Sequence, residues 1–129
     1  KAGDKLEITK KVTSPTDASV RTEETIPLST DEYAVLTTLP GLRLAKTRYY
    51  YTHNDVAYEI GVHSEELTGL VIIDVEFKSR AERDAFIVPD FILIEVTNEK
   101  FLRGGILAGK KYADIEKDLK RLHYQRIES

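Results

Sequence analysis

Asp74, Glu76 and Lys78 stand at every second position of the run Ile73-Asp74-Val75-Glu76-Phe77-Lys78, with Ile73, Val75 and Phe77 between them. Successive side chains of an extended chain point to opposite faces, so this run has one apolar face and one on which two acids and a base share a row. The pattern recurs with Glu7, Thr9 and Lys11, with Arg21 and Glu23, with Lys46, Arg48 and Tyr50, with Glu59 and Gly61 against Tyr58, Ile60 and Val62, and with Glu95 in 91–97. Acids and bases mixed on one face suit a chemistry in which a cation and a polyanion lie side by side. Carboxylates supply the oxygen ligands of a hard divalent metal, and Lys and Arg supply donors to phosphate oxygens. On an ordinary antiparallel sheet the same rows are solvated and make ion pairs worth about 0.2–1 kcal/mol. The direction in which the charged rows face therefore decides what the chain does.

The elements that must position these rows follow from pattern and punctuation. Residues 6–12 alternate as a strand and are broken by Thr13-Ser14-Pro15-Thr16-Asp17, so a hairpin to a second strand at 21–26 is predicted. Ser29-Thr30-Asp31-Glu32 spells a capping box and predicts a short helix over 33–39, ended by Pro40-Gly41. Strands are predicted at 44–52 and 56–62 around the turn His53-Asn54-Asp55, and at 70–78 after a loop ending at Gly69. Ser79 and Glu82 form a second capping box that opens a helix through about Ile87. Pro89 interrupts it, and 91–97 reads as a last strand. From about Lys111 a terminal helix presents Tyr112, Ile115, Leu119 and Leu122 as an apolar stripe that docks on the domain's own core. Twice a strand with candidate acids runs into a capped helix, at Glu23 before Ser29-Glu32 and at Glu76 before Ser79-Glu82, as two related halves of a closing sheet would. The fold class expected is α+β: an antiparallel β-barrel or strongly curved sheet with short flanking helices and a C-terminal helix, in one domain over 1–129.

Composition removes several classes of function. With 129 residues, 41% of them hydrophobic, a single core is expected. The chain has no cysteine, which excludes a disulfide framework, a thiol nucleophile and a thiolate zinc site, and leaves oxygen or imidazole to hold any metal. His53, His63 and His123 read as a turn residue, a loop-edge residue and a helix-surface residue, with no metal-ligand spacing. A formal charge of −3 offers no general attraction for nucleic acid. No apolar run approaches the roughly 18 residues of a membrane span, and no signal peptide opens the chain. A soluble, cytoplasmic protein is expected, and a start at Lys1 reads as a piece of something longer.

In order and spacing, the succession Thr9-Lys10-Lys11, Arg21-Thr22-Glu23, Lys46-Thr47-Arg48-Tyr49, Gly69-Leu70 leading to Asp74-Val75-Glu76-Phe77, and Glu95-Val96-Thr97 resembles the CYTH domain of the triphosphate tunnel metalloenzymes. Each motif alone is common on strands. Together they cover about 5–108. The resemblance implies an antiparallel barrel enclosing a hydrophilic tunnel, with Lys11, Arg21, Lys46 and Arg48 gripping a triphosphate and Glu23, Asp74, Glu76 and Glu95 holding Mg2+ or Mn2+. Glu76 and Lys46 are the catalytic candidates it implies.

The activity implied is metal-dependent hydrolysis of inorganic, nucleotide or organic triphosphate. The alternatives are a class IV-type adenylate cyclase and a non-catalytic polyanion- or nucleotide-binding module of a larger protein. Three departures support the binding module: Thr25 where an acid is frequent, Gly61 where aspartate is common, and no opening strand of alternating glutamates ahead of Leu6. A barrel lacking that strand exposes edges, which invites a homodimer or pairing with the missing N-terminal segment.

Overall fold

The computed structural model describes residues 1–128 and is α+β. They fall into two compact units, Lys1–Leu42 and the chain from Arg43 on.

The first unit is a hairpin and a helix. Strands β1 (Glu7–Thr13) and β2 (Arg21–Pro27) pair antiparallel from Glu7 opposite Pro27 to Thr13 opposite Arg21. The connecting turn is held by Ser14 and Asp17: Ser14 Oγ accepts the backbone N–H of Thr16 and Asp17, and Asp17 Oδ1 accepts that of Ser19. Helix α1 (Thr30–Leu36) begins with the full capping box. Glu32 N–H donates to Ser29 Oγ at 3.2 Å, and Ser29 N–H donates to Glu32 Oε2 at 2.8 Å. No described residue of this unit is buried.

The second unit holds the core. Strands β3 (Lys46–His53), β4 (Val56–His63) and β5 (Val71–Val75) form one antiparallel sheet in that order. Asn54 and Asp55 close the β3–β4 hairpin with φ of 49° and 61°, the left-handed pair a two-residue turn requires and these short polar side chains tolerate. Helix α2 (Arg80–Ala85) follows β5, α3 (Gly104–Leu107) is a single turn, and α4 (Tyr112–Arg121) is the terminal helix. The stripe Tyr112, Ile115, Leu119 and Leu122 is buried. Its first three members cluster with Leu67, Leu70 and Leu107, and Leu44, Ile72, Phe101, Leu102 and Tyr124 pack against them. The Tyr124 hydroxyl fastens the C-terminal segment to the start of β5, donating to Gly69 O and accepting from Val71 N, both at 2.9 Å. Gly69 has φ of +94°, and a Cβ there would stand 2.9 Å from Ile127 O, so both its backbone angle and its packing require glycine.

The described strands make two antiparallel sheets, with no closed barrel among them. Two predicted strands take another form. Residues 91–97 form no strand; the chain from Phe86 to Glu99 is irregular. Phe91 is the physical reason. Its ring lies 5.4 Å from that of Tyr58, 6.0 Å from Tyr51 and 5.7 Å from His53 by centroid, docked on the flat of the sheet, away from the edge where ladder bonds are made. The strand predicted over 70–78 stops at Val75 because Glu82 Oε2 accepts the N–H of Lys78 at 2.8 Å, drawing the chain into the cap of α2.

His63, expected at a loop edge, is the last residue of β4 and only 3% exposed. Its Nδ1 lies 3.1 Å from Leu70 O, so the neutral ring carries its proton there. Burial holds its pKa below the ordinary 6.5 and the positive charge of Lys46 adds to this, while the carbonyls of Leu70 and Gly61 and the charge of Asp74 pull the other way. With the folded pKa depressed, stability is full above about pH 6.5 and is lost as the pH falls toward and through the folded value. Glu23 and Glu32, also depressed, act only below their ordinary 4.5. The urea midpoint is therefore expected to fall between pH 7 and pH 5, and His63→Gln is expected to flatten that slope. An equal slope in the variant would assign it to other groups.

Candidate functional site

Register decides which charged side chains share a face. Lys46 pairs with His63, Arg48 with Gly61 and Ile72, and Tyr50 with Glu59 and Asp74. One face of β3–β4–β5 therefore carries Lys46, Arg48, Tyr50, Glu59 and Asp74 around the bare position Gly61. Toward Leu44, His63 and Ile72 the same face passes into the buried core, so the charged patch is anchored at its base on packed side chains. The opposite face carries Tyr51, His53 and Tyr58, which pack with Phe86 and Phe91.

Within this patch Arg48 Nε stands 2.9 Å from Glu59 Oε1, an ion pair. Glu59 and Asp74 are register partners on adjacent strands, two carboxylates side by side on one surface. Lys46 is half-buried, and among the described residues no carboxylate lies within ion-pair distance of its Nζ. Of the residues singled out from sequence, Lys46, Arg48 and Asp74 are thus brought onto one face. Glu76 lies one residue beyond β5 and is exposed, and Glu95 lies exposed on the irregular 86–99 segment.

Lys11, Arg21 and Glu23 share one face of the first unit's hairpin. Lys11 Nζ donates to Glu23 Oε1 at 2.8 Å, and Arg21 Nη1 stands 3.7 Å from the same oxygen. The hydrogen bond from Lys11 holds the Glu23 carboxyl below the usual range, and the nearby charges of Lys11 and Arg21 act in the same sense. The predicted departure Thr25 sits in this row, its Oγ1 at 2.9 Å from that of Thr9, its register partner. Both Lys11 and Glu23 are about half exposed, so their pair is worth no more than about 1 kcal/mol.

Sequence reasoning left Glu59 and His63 outside the site. Glu59 had a readable signal, since it falls in the charged parity of β4, but its pairing with Arg48 depends on register. His63 is bonded to Leu70, seven residues away, a partner that no local pattern shows.

Among the described residues, no three His, Asp or Glu side chains form a group that could hold an ion. The Glu59–Asp74 pair nevertheless fits Mg2+ or Mn2+ in kind: these are hard oxygen donors, and magnesium is commonly held by one or two carboxylates together with substrate phosphates.

No family model matches the chain, and no curated protein matches it. Solved structures do. The crystal structure of the hypothetical protein NE1496 matches with a TM-score of 0.58 and 28% identity over 81% of this chain and 70% of that one. The crystal structure of the inorganic triphosphatase NE1496 matches with a TM-score of 0.56 and 25% identity over 85% of this chain and 90% of that one. The fold is similar to that of a triphosphatase. No helix among the described residues is long and apolar enough to cross a membrane.

Proposed function

We propose that the chain is a metal-dependent phosphohydrolase of the triphosphate tunnel type, acting on a triphosphate compound. The observation that carries this reading is the face of β3–β4–β5 on which two bases, Lys46 and Arg48, stand among the acids Glu59 and Asp74. Likeness to an inorganic triphosphatase supports it and makes tripolyphosphate the first substrate to test.

Lys46 and Arg48 would meet the polyanion. The planar fork of arginine grips two phosphate oxygens, whereas the lysine ammonium acts as a point charge. Arg48 is already held by Glu59, so its guanidinium is oriented before a ligand arrives, at the cost of sharing its charge. Tyr50, 77% exposed on the same face, offers a neutral hydroxyl donor. Asp74, with Glu59 beside it, would hold Mg2+ or Mn2+ together with the substrate's phosphates, and the ion when bound would neutralise phosphate charge and acidify a water; Glu76, one residue beyond β5, is the catalytic carboxylate of this reading. Positioning and charge stabilisation are what phosphoryl transfer to water mainly requires.

A second reading is a polyanion-binding module without turnover. It draws on the lack of a three-carboxylate group among the described residues. Phosphate release from tripolyphosphate separates the two. Release that needs Mg2+ or Mn2+ and stops with EDTA is the expected result; tight binding of tripolyphosphate with no release under any metal would leave the binding module.

A further inference from the structure

We propose that Gly61 is a positioning residue for Lys46: by carrying no side chain it leaves a cradle on β4 in which the Lys46 side chain lies across the strand, presenting an uncompensated ammonium beside Arg48 to an incoming phosphate group.

The geometry is direct. An ideal Cβ at Gly61 would stand 3.2 Å from Lys46 Cδ and 3.2 Å from Lys46 Nζ, so even a methyl group at 61 would crowd the lysine and a larger side chain would have to push it aside. Lys46 is paired in register with His63, whereas Gly61 is paired with Arg48. To lie over Gly61 the lysine must lean one row along the sheet, toward Arg48. Arg48 leans one row further, to Glu59, so the lysine tip lies in the row of Arg48, over the one position on this face with no side chain of its own.

Charge balance makes the arrangement useful for binding an anion. Arg48 is neutralised by Glu59, and in the other unit Lys11 is neutralised by Glu23. Lys46 has no such partner among the described residues. His63, its register partner, is kept neutral by burial and so adds no second positive charge beside it. A half-buried ammonium without a counter-ion is costly, and a phosphate oxygen is the natural complement of its size and charge. The cradle holds the stem of the lysine flat, which removes part of the rotamer freedom that binding would otherwise have to freeze. The departure at Gly61 then has a reading besides a lost acid: the room that a side chain would have taken goes to a base.

This inference rests on the triphosphate reading for its ligand but not for its geometry, and the test separates them. Gly61 does not have positive φ, and the nearest backbone atom to a Cβ placed there is Ile72 O at 3.4 Å, so the fold tolerates a small side chain while the flexible lysine tip must move. Gly61→Val displaces Lys46 most and suits a strand; Gly61→Ala is the milder variant should the valine fail to fold. The first readout is the rate at which Lys46 is acylated by a lysine-directed reagent, followed by peptide mass spectrometry. It is expected to rise several-fold in either folded variant, and an unchanged rate overturns the cradle. The second is calorimetric binding of tripolyphosphate. Gly61→Val is expected to weaken it about tenfold, and to have no effect once Lys46→Ala is present. An equal loss in both backgrounds overturns the positioning role. Altered acylation in a protein that binds no tripolyphosphate would uphold the cradle and overturn the triphosphate reading and the anion role with it.

Discussion

Asp74→Asn is expected to lower metal-stimulated phosphate release from tripolyphosphate by on the order of 10²-fold or more, the scale seen when a charge-stabilising group is removed from an active site. The substitution preserves shape and removes only the charge that an oxygen-ligated metal requires. Its effect on the fold has the opposite sense. Asp74 is exposed and stands directly opposite Glu59 in the β4–β5 register, where like charges repel. Removing one of them should leave the urea midpoint unchanged or slightly raised. A residue whose loss costs activity and not stability is held for function. Glu76→Gln is the companion substitution, and because Glu76 lies beyond the ladder it reports on the catalytic role without disturbing any strand pair. Full metal-stimulated release in both variants would show that neither carboxylate serves the metal-dependent reaction.

The second large effect is structural. Leu70→Ala is expected to destabilise the protein by about 2–5 kcal/mol, measured by urea denaturation. Leu70 is 1% exposed and clusters with Leu67, Leu107, Tyr112, Ile115 and Leu119, so truncation opens a cavity between the sheet and α4 that the close-packed surroundings cannot collapse to fill. Its backbone carries the link to the charged patch, since Leu70 O accepts from both His63 N at 2.9 Å and His63 Nδ1 at 3.1 Å. Loosening the start of β5 should therefore also flatten the pH dependence assigned to His63. A cost below about 1 kcal/mol would mean that the core of the second unit does not centre on this contact.

What was legible in the sequence was local. Ser29-x-x-Glu32 and Ser79-x-x-Glu82 each name their own helix start, because both partners lie within one turn, although in the second Glu82 reaches the N–H of Lys78 and not that of Ser79. The stripe on α4 was legible for the same reason: helical period alone places Tyr112, Ile115, Leu119 and Leu122 on one side. Strand parity correctly put Lys46, Arg48 and Tyr50 together, and Lys11 with Glu23 follows once the hairpin register is known.

Parity was insufficient wherever the answer depended on a partner far along the chain. Alternation over 91–97 is as good as in β5, but the ring of Phe91 finds Tyr51, His53 and Tyr58 on the sheet face, and that contact outweighs an edge pairing no local signal can weigh. Glu59 became part of the patch only through Arg48 and Asp74, eleven and fifteen residues away in opposite directions along the chain. Gly61 looked like the loss of an acid, and only the course of the Lys46 side chain shows what occupies its place.

Calorimetric titration of tripolyphosphate into the parent protein and into Arg48→Ala tests the central claim most directly, because it depends on the charged face of β3–β4–β5 and not on turnover. A charge-assisted contact to phosphate is worth about 1.5–3 kcal/mol, so the variant is expected to bind at least about tenfold more weakly, with a smaller dependence on salt. Equal affinity in the two proteins, or no binding by the parent, would contradict the account.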